Sequence, residues 1–73
     1  MFESRTVDEI VRLADVGAGF RMDASTRTTD DLYRIAFAAA GKGSRIILEG
    51  LDSRTYDELW RIAKAGEGCV VFE

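Results

Sequence analysis

The segment Ser53–Ala63 reads Ser-Arg-Thr-Tyr-Asp-Glu-Leu-Trp-Arg-Ile-Ala, and the same pattern occurs twice before it, at Ser4–Ala14 and Thr26–Ala36. Every copy has Arg and Thr at its second and third positions, Asp at the fifth, Arg at the ninth and Ala at the last. The copies are offset by 22 and then 27 residues. A period of about 20 to 50 residues is typical of one supersecondary unit stacked on itself. The pattern therefore predicts a fold made of three similar units.

The length and composition favour a single small domain, 1–73, that associates with something else. A chain of 73 residues buries only about 60% of its unfolded surface, and small domains usually gain stability from disulfides, metals or association. Cys69 is the single cysteine and there is no histidine, so an internal disulfide and the usual zinc ligands are excluded. We expect a homodimer or a complex with another protein, and no metal or cofactor.

The charge and hydropathy patterns exclude two classes of partner. The net charge of −3 and the pI near 4.9 argue against nucleic acid, because phosphate backbones require a basic face. The longest apolar run, 35–40, has six residues, whereas a membrane span needs about 20. The first five residues have no apolar stretch behind a basic cluster, so we do not expect them to be a signal peptide. We expect no membrane contact and a cytoplasmic location, which also suits a free thiol.

Each copy begins with the residues that start a helix. Thr followed three positions later by an acidic residue is the spacing of a capping box, in which the hydroxyl and the carboxylate bond each other's backbone N–H groups. The three pairs are Thr6 with Glu9, Thr28 with Asp31, and Thr55 with Glu58. A Gly-x-Gly follows each copy, running from helix to strand and therefore typical of a helix end rather than a phosphate loop. We predict helices over 6–17, 28–41 and 55–66, with left-handed caps at Gly17, Gly41 and Gly66.

The spacing within the helices predicts which side chains face the core and which face the neighbouring helix. Residues at i, i+3 and i+4 lie on one helix face. The predicted inward stripe is Ile10, Leu13 and Ala14, then Leu32, Ile35 and Ala36, then Leu59, Ile62 and Ala63. A second stripe, expected between helices, is Val7 and Val11, Thr29 and Tyr33, and Tyr56 and Trp60. The alternative for Tyr33 and Trp60 is an aromatic patch on the surface.

Each copy also places an Asp four residues before an Arg, a spacing that supports ion pairs along one helix. The three pairs are Asp8 with Arg12, Asp30 with Arg34, and Asp57 with Arg61. We predict that these arginines are structural.

Short apolar runs between the helices predict strands over 1–5, 19–24, 44–50 and 69–73. The order βαβαβαβ implies a four-stranded parallel sheet with right-handed crossovers. The similarity of the three helical stripes favours helices mainly on one face of the sheet, in a solenoid-like arrangement. The alternative is a small doubly wound, three-layer sheet with helices on both faces.

A one-sided arrangement leaves one face of the sheet open. Alternation along the strands assigns Arg21, Ile47, Val71 and Cys69 to this face, together with the acidic residues at the strand ends. All-parallel sheets are almost always covered on both faces, so we predict that these residues form an interface with a second copy of the chain.

The strand-to-helix loops are the candidate ligand site. Ligands of open α/β sheets bind at the carboxyl ends of strands, where each copy places an Arg and a hydroxyl. The candidate anion-binding residues are Arg5, Arg27, Arg54, Thr6, Thr28 and Thr55. In the simpler alternative the hydroxyls cap helices, and the arginines neutralise the strand-end acids. Those acids are Glu3, Asp23, Glu49 and Glu73, which offer a second alternative, a cation site.

No catalytic residues are predicted. The sequence has no histidine to act as a general base, and Cys69 has no histidine to activate it. We therefore predict a non-enzymatic module for protein interaction or self-assembly. The alternative is a small-anion or phosphate-binding domain that uses the Arg-Thr loops.

Overall fold

The helices and three of the strands occur where the sequence predicts them, with ends that shift by a few residues. The computed structural model describes residue 2 and residues 4–73. The elements, in chain order, are α1 (Val7–Asp15), β1 (Phe20–Asp23), α2 (Thr29–Ala39), β2 (Ile46–Glu49), α3 (Tyr56–Gly66) and β3 (Val70–Phe72). The protein is thus a small α/β protein with three helices and a three-stranded parallel sheet.

The predicted first strand, over 1–5, does not belong to the sheet that the structure describes. Met1 and Glu3 lie outside the described residues. Ser4 and Arg5 form a turn, in which the Arg5 N–H donates to the Phe2 carbonyl at 3.1 Å. Among the described residues the sheet has three strands in the order β1-β2-β3.

The strand register puts apolar side chains on one face of the sheet. Phe20, Ile46 and Val70 lie side by side in one row, and Met22, Leu48 and Phe72 in the next. The central strand has the most deeply buried pair, Ile46 and Leu48. Because α1 packs on α2 and α2 on α3, residues of all three helices form a single core with this one sheet face.

Threonines start all three helices. At α1 the Thr6 hydroxyl accepts from the Glu9 N–H at 3.2 Å, and the Thr6 N–H donates to Glu9 Oε1 at 3.0 Å. Thr55 and Glu58 make the same reciprocal bonds at α3. Such caps satisfy donors that have no partner inside the helix.

The cap of α2 is only half formed. The Thr28 hydroxyl accepts from the Asp31 N–H at 3.1 Å, but no return bond from the Thr28 N–H to the Asp31 carboxylate occurs among the described residues. The reason is the side-chain length, since Asp is one methylene shorter than the Glu that completes the other two caps.

The helix ends differ in one respect from the prediction. Gly17 and Gly41 have positive φ angles, as left-handed caps require. Gly66, however, is still helical, and the left-handed residue after α3 is Glu67, with a φ of 49°. A Cβ at Gly66 would lie 2.5 Å from Val70 Cγ2. The glycine at 66 is therefore needed for the close approach of α3 to β3.

The predicted inward stripe is right for α2 and wrong at one position in each outer helix. Leu32, Ile35 and Ala36 are fully buried. Leu13 of α1 is 38% exposed, and Ala63 of α3 is exposed. Helical periodicity predicts the face on which a residue lies, but burial at the edge of that face also needs a neighbouring element.

The predicted ion pairs within helices are replaced by a pair between helices. Arg34 Nη2 donates to Asp8 Oδ1 of α1 at 2.8 Å rather than to Asp30. No pair between Asp8 and Arg12 or between Asp57 and Arg61 occurs among the described residues. The contact therefore joins one unit to the next instead of stabilising a single helix.

Candidate interaction surfaces

One turn is repeated at the start of every unit. The N–H groups of Arg5, Arg27 and Arg54 donate to the carbonyls three residues earlier, at 3.1, 3.1 and 3.0 Å. The accepting carbonyls belong to Phe2, Ala24 and Leu51. Each turn therefore ends on an arginine and is followed at once by the threonine that caps the helix.

The side chains of Arg27 and Arg54 link consecutive turns. Arg27 Nη2 donates to the carbonyls of Phe2 and Arg5, both at 2.7 Å. Arg54 Nη2 donates in the same way to the carbonyls of Ala24, at 3.0 Å, and Arg27. We call these two side chains and the turns they bind the arginine ladder. The two contacts are equivalent, since each guanidinium binds the first and last carbonyls of the preceding turn.

The ladder uses the specific chemistry of arginine. A guanidinium has five N–H donors in a planar fork and stays charged at any accessible pH. Turn carbonyls have no partner in a helix or sheet, and a hydrogen bond to a charged donor contributes about 1.5–3 kcal/mol. Arg54 also donates from Nη1 to Thr29 Oγ1 at 2.9 Å. It therefore contacts both the first residue of α2 and the turn that precedes α2.

These contacts leave few of the predicted anion-binding groups accessible. Thr6, Thr28 and Thr55 use their hydroxyls as helix caps, while the guanidinium groups of Arg27 and Arg54 bind backbone carbonyls. Arg5 differs, because its side chain is 60% exposed and its Nη1 lies 3.8 Å from Glu9 Oε2.

Glu58 completes the junction between α2 and α3. Its Oε1 accepts from the Thr55 N–H at 2.8 Å, and its Oε2 accepts from the Thr29 hydroxyl at 2.8 Å. These hydrogen bonds, first the one from the Thr55 N–H and then the one from Thr29, lower the pKa of the Glu58 carboxyl. Thr29 thus joins Arg54 and Glu58 at the point where the two helices begin.

The sheet face opposite the helices carries an ion network centred on Arg21. Arg21 Nη1 lies 2.8 Å from Glu49 Oε2 and 2.5 Å from Glu73 Oε1. The hydrogen bond to Glu73, and then the one to Glu49, raise the pKa of Arg21. The predicted partners of these acids, Arg5, Arg27 and Arg54, were wrong. Strand alternation places Arg21 on the same face as Glu49 and Glu73, whereas Arg27 and Arg54 bind backbone carbonyls and Arg5 lies beside Glu9.

Asp23, the third described acid of this row, is held by its own loop. Its Oδ1 accepts from the Ser25 N–H at 2.9 Å, and this bond is the first cause of its lowered pKa. Glu3, the fourth acid of the predicted row, lies outside the described residues. Within residue 2 and residues 4–73, no group of three or more potential ligands is arranged to hold a metal ion.

Two apolar side chains lie at the centre of the same open face. Ile47 and Val71 are partners in the register of β2 and β3, and both are half-buried. Arg21 is the register partner of Ile47 on the other side. Cys69, predicted on this face, instead packs against the core as a half-buried residue just before β3. The open face is therefore formed by Arg21, Ile47 and Val71 with the two glutamates.

A groove between α2 and α3 is the second exposed apolar surface. Tyr33, Phe37 and Trp60 are all exposed along it, and its volume is about 560 Å³. The rings of Tyr33 and Phe37 stack at 6.4 Å, and Lys64 Nζ lies 4.9 Å from the Trp60 ring. The prediction that Tyr33 and Trp60 pack between helices was wrong. Phe37 was not predicted as part of this surface, although its position four residues after Tyr33 is the signal that could have found it.

No protein-family model matches the chain, and neither the curated proteins nor the solved structures include one that is significantly similar to it. The surfaces must therefore be interpreted from their own chemistry. In the part of the chain that the structure describes, no helix is long and apolar enough to cross a membrane.

Proposed function

We propose that the protein is a non-enzymatic module for protein interaction that associates with a second copy of itself through the open sheet face. The observation that carries this proposal is the exposure of one face of a wholly parallel sheet. Parallel sheets are almost always covered on both faces. Helices cover only the face that contains Ile46 and Leu48 in the described residues.

The composition of the open face suits a second copy. Ile47 and Val71 provide a small apolar centre, and Arg21 with Glu49 and Glu73 provides both signs of charge beside it. A two-fold axis through the apolar centre would bring each guanidinium near the carboxylates of the other copy, because an isologous interface pairs a patch with itself. The apolar centre is small, so the ion network has to contribute to specificity.

The finer features of the fold belong to the same proposal. A strand from the N-terminal segment beside β1 would give the predicted four-stranded sheet, and three similar units would then form a short solenoid. A reducing compartment such as the cytoplasm suits the thiol of Cys69. None of these features is needed for association through the sheet face.

The alternative function, binding of a small anion such as phosphate, has one supporting observation. The exposed guanidinium of Arg5 lies next to the N-terminus of α1, and helix N-termini favour anions. The capping carboxylate of Glu9 already occupies that helix end. This geometry favours the interaction module over the anion site.

The experiment that tests the proposal is a comparison of Ile47→Asp with the wild-type chain by light scattering coupled to size exclusion. Burial of an unpaired carboxylate in the interface is strongly unfavourable, so the variant should lose the sheet-face contact and elute at a smaller mass than the wild type. Phe37→Asp is the control, because it makes the same kind of change on the α2–α3 groove. An Ile47→Asp variant that folds and keeps the wild-type mass would overturn the sheet-face interface.

A further inference from the structure

Equivalent residues of the three units differ in exposure in a systematic way. Leu13 of the first unit is 38% exposed, whereas Ile35 and Ile62, at the same position of the later units, are fully buried. The opposite trend occurs one position further along. Ala14 and Ala36 are fully buried, but Ala63 of the third unit is exposed.

A third position follows the trend of the alanines. Val7 and Thr29 are half-buried, whereas Tyr56, which begins α3, is 78% exposed. These differences in exposure arise because the middle unit has a neighbouring unit on both sides, whereas the first and third units each have a neighbour on one side only. A residue that faces the preceding unit loses its cover in the first unit, and a residue that faces the following unit loses its cover in the third.

Two surfaces of the described chain therefore have the composition of an internal junction. The N flank consists of Arg5, Arg12 and Leu13, the first-unit equivalents of Arg27, Arg34 and Ile35. The C flank consists of Tyr56, Asp57 and Ala63 together with the carbonyls of Leu51 and Arg54, the third-unit equivalents of Val7, Asp8, Ala14 and the carbonyls of Phe2 and Arg5. Both contain the motif residues that join neighbouring units inside the chain.

The polar contacts across the inner junctions show how the flanks would fit each other. Arg27 binds the turn of the first unit, and Arg54 binds the turn of the second. If the first unit of one copy followed the third unit of another in the same way, the Arg5 guanidinium of the first copy would bind the Leu51 and Arg54 carbonyls of the second.

The ion pair between α1 and α2 gives a second matching contact. Asp8 of the first unit pairs with Arg34 of the second at 2.8 Å. The equivalent residues on the flanks are Asp57 and Arg12, of opposite charge. Neither takes part in an ion pair among the described residues.

We propose that the C flank of one copy binds the N flank of the next, in the arrangement by which consecutive units of one chain already pack. The occupant is a second copy because the flanks match in charge, in hydrogen-bonding groups and in apolar residues. Leu13 would lie against Leu59 and Ala63, the equivalents of Ile10 and Ala14, which belong to the same core cluster as Ile35.

This association is head-to-tail and differs from the sheet-face dimer. A head-to-tail contact uses two different surfaces, so each added copy exposes a new flank. Assembly continues until a ring closes or a filament forms. The proposal does not depend on the sheet face, since it uses the two sides of the helix layer and the turns beside them.

A charge-exchange experiment tests the proposal on the full chain. R12E and D57R are each made, and association is measured by sedimentation velocity over a wide concentration range, at low and at physiological salt. Circular dichroism checks that the variants are folded, which is expected because neither residue has a described ion-pair partner. K64E is the matched control, an exposed cation of α3 that faces the groove rather than a flank.

The wild type should form species larger than a dimer as its concentration rises. Each single variant should weaken association by about 3- to 30-fold, from loss of one ion pair and gain of a like-charge pair. A mixture of R12E with D57R should associate like the wild type, and so should the double variant R12E/D57R, because each restores opposite charges across the junction. K64E should not change association.

Three results would overturn the proposal. The first is a wild type that stops at a dimer and is dissociated only by Ile47→Asp, in which case the sheet-face function stands without the stacking. The second is an assembly in which the R12E and D57R mixture remains as weak as the separate variants. A wild type that stays monomeric at high concentration would exclude both interfaces.

Discussion

Replacement of Arg54 by alanine tests whether the arginine ladder holds the units together. The wild-type side chain donates to the carbonyls of Ala24 and Arg27 and to the Thr29 hydroxyl. These are three charge-assisted bonds at a half-buried site. Each hydrogen bond to a charged group contributes about 1.5–3 kcal/mol to the free energy of unfolding. Water that binds the freed carbonyls in the variant recovers part of this contribution. We expect Arg54→Ala to lower the free energy of unfolding by about 2–4 kcal/mol.

This loss is large for so small a domain. At about 0.05–0.15 kcal/mol per residue, a chain of this length has roughly 4–11 kcal/mol of stability in total. Arg54→Lys should recover only part of the loss, because an ammonium group lacks the planar fork that reaches two carbonyls at once.

The assay is urea denaturation followed by circular dichroism, at a concentration low enough to keep the protein dissociated. Arg5→Ala is the control, because Arg5 holds the same position in its unit but makes no described contact with a preceding turn. It should change the stability by less than about 0.5 kcal/mol. Equal losses for Arg54→Ala and Arg5→Ala would refute the ladder as a source of stability.

Further predictions concern the helix junctions. Gly66→Ala should destabilise the protein by about 1–3 kcal/mol, because its Cβ would meet the Val70 side chain, and a lower midpoint of thermal unfolding measures this. The pKa of Glu58 is lowered in the folded state, so its carboxylate stabilises the fold at pH values above its ordinary pKa of 4.5. This contribution is lost as the pH falls through the folded-state pKa. Glu58→Gln should therefore reduce the loss of stability in acid, and an acid-denaturation curve identical to that of the wild type would contradict this role.

The sequence was sufficient to predict the helices, because their starting signals are local. Thr6 and Thr55 with their glutamates specify a cap within four residues, and the structure has the same hydrogen bonds. The strand positions followed from short apolar runs next to glycines. Phe20, Ile46 and Val70 begin strands at the expected places.

The contacts between units were harder to predict, because they join residues far apart in the chain. An Asp four residues before an Arg is compatible with a pair inside the helix and with a pair to the next helix, and Arg34 makes the second. The ladder was missed because backbone carbonyls leave no mark in a sequence. The exposure of Leu13 and Ala63 depends on whether another unit lies beside them, which periodicity alone does not reveal.

One surface contact was within reach of sequence reasoning. Alternation along the strands already placed Arg21 on the face opposite the core, with Glu49 and Glu73 at strand ends on the same side. The register of the strands then brings them together, because Glu49 is two residues beyond the register partner of Arg21. The loop arginines were predicted as partners because they closely follow the acids in the chain. Strand register would have predicted the partners correctly, whereas proximity in the chain did not.

Self-association is the central claim, and the most direct test is the melting temperature of the wild-type chain over a hundredfold range of concentration. Association that is coupled to folding makes the midpoint depend on concentration. A hundredfold dilution should lower it by an amount on the order of 5 °C for a domain of this size. A midpoint that does not move over that range, together with a monomeric mass at the highest concentration, would contradict the claim.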